Sequence, residues 1–157
     1  MDMKKRSPGF TVAEVLIALA IMALLAAVAV PAVIRLRDDL KMRELDDCAR
    51  EIFLSAQNNL TARKAAGTLG GVGDLDSDQA LLLYKVDSAA LLPAGALEAK
   101  VAEGYYALKL NLKAGGMVEV FYSEDDFTAE EREQIKEGQL SGAGNAAQRK
   151  AARIGYY

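Results

Sequence analysis

The 157-residue sequence contains no histidine and a single cysteine, Cys48. Without histidine there is no imidazole to act as a general base or metal ligand. With one cysteine there is no internal disulfide and no cysteine-based zinc site. Net charge is small, 19 basic against 22 acidic residues, which gives no bulk attraction to nucleic acid. The glycine-rich stretch Gly67 to Asp74 (GTLGGVGD) lacks the Lys-Ser/Thr ending of a phosphate-binding loop and reads as a flexible connector. Asp74, Asp76 and Asp78 alternate, but the glycine and downstream bidentate glutamate of a calcium loop are missing. Capping of a following helix by Asp76 or Ser77 is the better account. These absences exclude histidine-based catalytic or metal sites and a cysteine-based zinc site; no catalytic residue, metal or cofactor is expected, and the chain is not expected to be an enzyme.

What the chain does have is one long apolar run. Val15 to Ile34 contains no charged and no polar side chain, and alanine, leucine, isoleucine and methionine dominate it. A helix needs roughly 20 such residues to cross a hydrocarbon core of about 30 Å. The run is apolar all round, so it belongs in lipid or inside a helix bundle. Two residues break its uniformity. Glu14 stands at its start, and an acid in that setting is costly and implies a partner. Pro31 stands near its end, where it removes a backbone donor. Lys4, Lys5 and Arg6 precede the run and favour a cytoplasmic N-terminus. Arg35, Arg37, Lys41 and Arg43 follow it, interleaved with Asp38 and Asp39, and weaken that orientation without reversing it. Ala27-Val28-Ala29 has the small-x-small form of a signal peptidase site, but the apolar run is long for an ordinary signal and Glu14 lies within it.

The order of these features is distinctive: a short basic leader ending in Gly9, then Phe10-Thr11, then Glu14, then the Val15–Val30 run and Pro31. It resembles the N-terminus of type IV pilin and type II secretion pseudopilin precursors. The resemblance covers about the first quarter of the chain. It implies cleavage between Gly9 and Phe10 by prepilin peptidase on the cytoplasmic side, followed by N-methylation of the Phe10 amine. It also implies that Glu14 pairs with the Phe10 amine of a neighbouring subunit and sets axial register in a filament, with Thr11 and Pro31 in the assembly interface. A lone carboxylate in an apolar bundle is destabilising, and an ammonium from the next protomer offsets that. Two plainer readings stand beside these: Glu14 as a residue snorkelling at the bilayer boundary, and Thr11 as only a small polar interface residue.

Removal of residues 1–9 would take away Lys4, Lys5, Arg6 and Asp2 and leave a mature charge of −5, from 16 basic and 21 acidic residues. The implied partners are prepilin peptidase, other copies or related pilins, a membrane assembly platform and the bilayer, with no direct nucleic-acid partner. The implied location is a single-pass inner or cell membrane segment, then a pilus or pseudopilus at the cell surface. The lone Cys48 departs from the paired-cysteine C-terminal loop of many Gram-negative pilins and leans weakly towards Gram-positive pilins or pseudopilins. The alternative function is a membrane-anchored or secreted binding domain that never polymerises.

Beyond the run, the helical pattern continues from Arg35 to about Ala66. Leu36, Leu40, Leu45, Cys48, Ile52, Ala56 and Leu60 mark one face, with charged residues opposite. Phe10 to Ala66 as one helix would be about 85 Å long. Cys48 on the apolar stripe reads as a small buried hydrophobe, and Gly67 stops the helix. Residues 78–86 (DQALLLYKV) read as a short helix, and Leu91 to Gly95 as a turn. Tyr105–Lys113 and Met117–Ser123 alternate as a hairpin about Ala114-Gly115-Gly116, its apolar side facing the long helix. Tyr105, Tyr106 and Tyr122 read as core and rim residues of a small sheet. Thr128-Ala-Glu-Glu131 is a capping box opening a helix that ends at Gly138. Residues 139–145 read as loop, 146–153 as a basic helix or arm, and 154–157 as an edge strand. The expected architecture is α+β. It comprises a leader (1–9), a transmembrane helix (10–34), its amphipathic continuation (35–66) and a small antiparallel head (67–157).

Overall fold

A computed structural model describes residues 9–75, 79–114, 116–140 and 153–157. It separates into two units, with the division between Asp39 and Leu40. The helix α1 runs from Val12 to Ala65 and supplies the described secondary structure of the first unit. There every side chain from Gly9 to Asp39 is exposed.

The second unit, Leu40–Tyr157, is an α+β domain, as the hydrophobic pattern anticipates. Strands β1 (Leu81–Tyr84), β2 (Tyr105–Asn111), β3 (Gly116–Ser123) and β4 (Gly155–Tyr156) form one antiparallel sheet in that order. Helix α2 spans Ala99–Glu103 and α3 spans Ala129–Lys136. The β2–β3 pairing is the expected hairpin, with a register shift between Lys109 and Leu110. Part of its turn, Gly115, lies outside the described residues.

The glycine stops fall where the sequence puts them. Gly67 (φ 70°) and Gly138 (φ 72°) are both left-handed. After α1, Thr68 N–H donates to Arg63 O at 2.9 Å and Gly67 N–H to Lys64 O at 3.2 Å. After α3, Gln139 N–H donates to Gln134 O at 2.9 Å and Gly138 N–H to Ile135 O at 3.3 Å. Both ends are Schellman caps, which only a residue without a Cβ enters cheaply. The capping box at Thr128 is formed in both directions: Glu131 N–H donates to Thr128 Oγ1 and Thr128 N–H to Glu131 Oε2. Thr128→Ala should cost about 1 kcal/mol of head stability, read as a lower urea midpoint; an unchanged midpoint would mean that α3 contributes nothing to the cooperative unit.

The sheet carries a core on each face. On one side Leu45, Ile52, Ala56 and Leu60 of α1 pack against Leu108, Leu110, Val120 and Tyr122. On the other, Ala107 and Phe121 meet Phe127, Ile135, Leu140 and Ile154. The first layer follows from period-2 alternation. The second does not, because Ala107 and Phe121 sit on the side that Lys109, Asn111 and Lys113 mark as polar. Lys109 is accommodated there by Glu119 at 3.0 Å, whose other oxygen accepts from Tyr156 Oη at 3.2 Å. Tyr106 and Tyr122 are buried and Tyr105 lies at the rim.

Two sequence expectations are corrected, and one helix goes beyond them. Residues 81–84 are a strand paired to β2, not part of a helix over 78–86. A four-residue apolar run carries no period, and here the neighbouring strand decides it. Leu36 and Leu40 do not join the buried stripe and are more than half exposed, since burial on α1 begins at Leu45. Helix α2 was not anticipated. Its last carbonyls, Ala102 O, Glu103 O and Gly104 O, all accept from Lys85 Nζ, at 2.5, 3.2 and 2.7 Å. The capping role of Asp76 or Ser77 and the basic arm up to residue 152 lie outside the described residues. The C-terminal edge strand is present as β4, preceded by Arg153, which pairs with Asp125.

Cys48 is buried, as its place on the stripe suggests. Burial pushes its thiol up from the ordinary value, and pushes the Tyr84 and Tyr122 phenols up as well. Such groups bind protons more tightly folded than unfolded, so stability falls once pH rises above their ordinary values. The Lys100 ammonium is raised by its hydrogen bond to Glu44, and that contribution too is lost as pH rises through the folded value. The head should therefore lose thermal stability progressively above about pH 9, with Cys48 resisting alkylation until it unfolds. Rapid alkylation of folded protein at pH 8 would contradict the burial.

Candidate functional site

The residues singled out at the N-terminus fall in two places. Gly9, Phe10 and Thr11 lie before the helix, without regular structure and exposed. The Gly9–Phe10 peptide is thus not part of a helical turn. A Cβ added at Gly9 would meet nothing within 4 Å.

Thr11 and Glu14 are brought together. Thr11 N–H donates to Glu14 Oε2 at 2.8 Å and Thr11 Oγ1 donates to the same oxygen at 2.7 Å. Glu14 N–H approaches Thr11 Oγ1 at 3.3 Å. With Val12 as the first helical residue, this is a capping box: Thr11 is the N-cap and Glu14 occupies the third helical position. The acid also lies at the positive end of the helix dipole. This role is missing from the reading of Thr11 as only a small polar interface residue. Its signal, Thr-x-x-Glu before an apolar run, is the one recognised at Thr128. Both Thr11 donors meet Glu14 Oε2, and Oε1 takes part in neither bond.

Past this cap, from Val15 to Ile34, the helix is apolar and exposed throughout. The helix contains a window of mean hydropathy 2.8, none of it buried within the protein, long enough to cross a membrane. Pro31 lies within α1, which continues past it. Lacking an N–H, it leaves the Ala27 carbonyl without its helical donor. Gly9, Phe10, Thr11 and Glu14 thus form one local group, while Pro31 stands about five turns further on.

Residues 4–30 match the family model of the prokaryotic N-terminal methylation motif. The N-terminus carries a prepilin-type cleavage and methylation signature. That signature belongs to precursors of type IV pilins and their relatives, and it places a structural subunit ahead of an enzyme. The match covers the leader and the first part of α1. Neither the curated proteins nor the solved structures give a match to this chain. Among the described residues, no group of three or more His, Cys, Asp or Glu side chains is placed to hold a metal ion.

Proposed function

We propose that the chain is a structural subunit of a type IV pilus or of a type II secretion-like pseudopilus. The observation that carries this reading is the methylation motif at residues 4–30 set on an apolar helix whose membrane-length segment no described residue covers. In this reading residues 1–9 are a leader removed by prepilin peptidase, and Phe10 becomes the methylated N-terminus. Residues 10–34 hold the subunit in the membrane and then form the filament core, 35–66 continue the helix, and 67–157 are the head. The Phe10 ammonium of one subunit meets the Glu14 carboxylate of the next, and Thr11 holds that carboxylate in place. The same apolar surface that is favourable in lipid drives packing between helices once the subunit leaves the bilayer.

Gly9→Leu tests the first step. The added side chain has open space, so folding is unaffected and any effect falls on recognition by the peptidase. Full-length precursor should accumulate in the membrane and sedimentable polymer should disappear. Polymer built from uncut Gly9→Leu chains would overturn the processing scheme. A chain anchored in the membrane that never polymerises in its wild-type form would overturn the filament reading.

A further inference from the structure

The head carries a groove of about 410 Å³ between α1 and the α2 region, and all of it lies in the second unit. Its apolar lining is Leu40, Cys48 and Val101, and Leu40 is 57% exposed. The charged lining comprises Glu44, Asp47, Glu51 and Glu98 against Arg43 and Lys100, four acids and two bases. Glu44 is taken by Lys100, and Glu51 accepts the Glu98 backbone N–H at 2.9 Å. No ion pair among the described residues engages the Asp47 and Glu98 carboxylates. The groove therefore offers an apolar floor and a net charge of −2.

The complementary shape is on the first unit. Arg35-Leu36-Arg37 is an exposed stretch of α1. At about 100° per residue, the two arginines flank Leu36 on either side of the helix. Leu36 is 58% exposed, and neither arginine forms an ion pair among the described residues. One apolar knob between two guanidinium groups, +2 in all, matches an apolar floor walled by −2.

We infer that the groove receives the Arg35-Leu36-Arg37 turn of a second copy, an inference that rests on the polymer reading above. Leu36 enters beside Leu40 and Val101, and the arginines engage Asp47 and Glu98, bidentate pairing being the geometry guanidinium favours. Donor and acceptor surfaces differ, so the contact is head-to-tail and does not close on a pair. It extends as a chain of copies.

Cross-linking tests this in full-length protein in its native envelope. With Cys48→Ala as background, Val33→Cys, one turn before Leu36, and Ala102→Cys, beside Val101, both exposed and outside the proposed contact pairs, are introduced singly and together, and thiols are joined with a short bifunctional reagent. The double variant should give a ladder of multimers, while each single variant gives at most dimers. In a Cys48→Ala chain with both cysteines, Arg35→Glu with Arg37→Glu should reduce the ladder about tenfold, since like charges across a contact are repulsive by more than the 1.4 kcal/mol that a factor of ten represents. Sedimentable polymer without a ladder overturns the groove contact and leaves the filament reading standing. Absence of polymer from the wild type overturns both. A cross-link to a different protein assigns the groove to another partner and overturns the inference.

Discussion

Glu14→Ala is expected to leave membrane insertion intact and to reduce polymer at least a hundredfold. Removing one partner of a desolvated charge pair costs about 3–5 kcal/mol, because the ammonium left behind has no counter-ion. Insertion, by contrast, only gains from losing an acid next to the apolar run. The capping box complicates the alanine result, since Ala also removes the bonds to Thr11 N–H and Oγ1 at 2.8 and 2.7 Å. Glu14→Gln separates the two roles. Glutamine serves the third position of a capping box but carries no charge. If Glu14 acts through its charge on the neighbouring Phe10 amine, Gln fails like Ala. If it acts only as a helix cap, Gln assembles like the wild type. Quantifying sheared polymer beside membrane-extracted subunit decides between them.

Gly155→Ala should be the most damaging single-methyl change in the head. A Cβ at this position would lie 2.2 Å from the Leu45 carbonyl oxygen and 2.4 Å from its carbon. Both are backbone atoms inside α1 and neither swings aside. β4 would have to withdraw from the helix. It would then lose the Tyr156 N–H bond to Asp46 at 3.0 Å and the paired Val120–Tyr157 backbone bonds at 2.8 and 3.0 Å. The burial of Ile154 and the ring contact of Tyr157 with Phe53 at 5.0 Å would go with them. Overpacking at about 1–3 kcal/mol plus two or three hydrogen bonds at about 1 kcal/mol each gives a loss of about 3–6 kcal/mol. Gly70→Ala is the control, with nothing within 4 Å of its added methyl; it should shift stability by less than about 0.5 kcal/mol. Denaturant unfolding of the detergent-solubilised chain measures both, and equal midpoints would show that β4 does not press on α1.

The sequence makes legible those features that depend on near neighbours. The apolar run, the two glycine stops, the capping box at Thr128 and the β2–β3 hairpin each rest on residues within a few positions of one another. The strand at Leu81–Tyr84 does not. Four apolar residues fit a helix or a strand equally, and pairing with Leu108 and Leu110 across more than twenty residues settles the matter. The second core layer is hidden for the same reason, as nothing near Phe121 announces that Ile135 and Ile154 will cover it. Gly155 gives no local signal either, because its constraint comes from Leu45. At the candidate site, Gly9, Phe10 and Glu14 stand out by order and spacing. The Thr11–Glu14 cap was equally readable, from the same four-residue pattern as Thr128–Glu131.

The central claim is that this chain is cut and modified at its N-terminus and then assembles through the exposed helix. N-terminal sequencing and intact mass of the mature protein from envelope fractions test it most directly. The account predicts a chain beginning at Phe10 and one methylene heavier than its sequence. A chain beginning near Val30 or Ala32 would mean simple secretion, with Glu14 discarded along with its proposed role. An intact Met1 would leave a membrane-anchored head and contradict the filament.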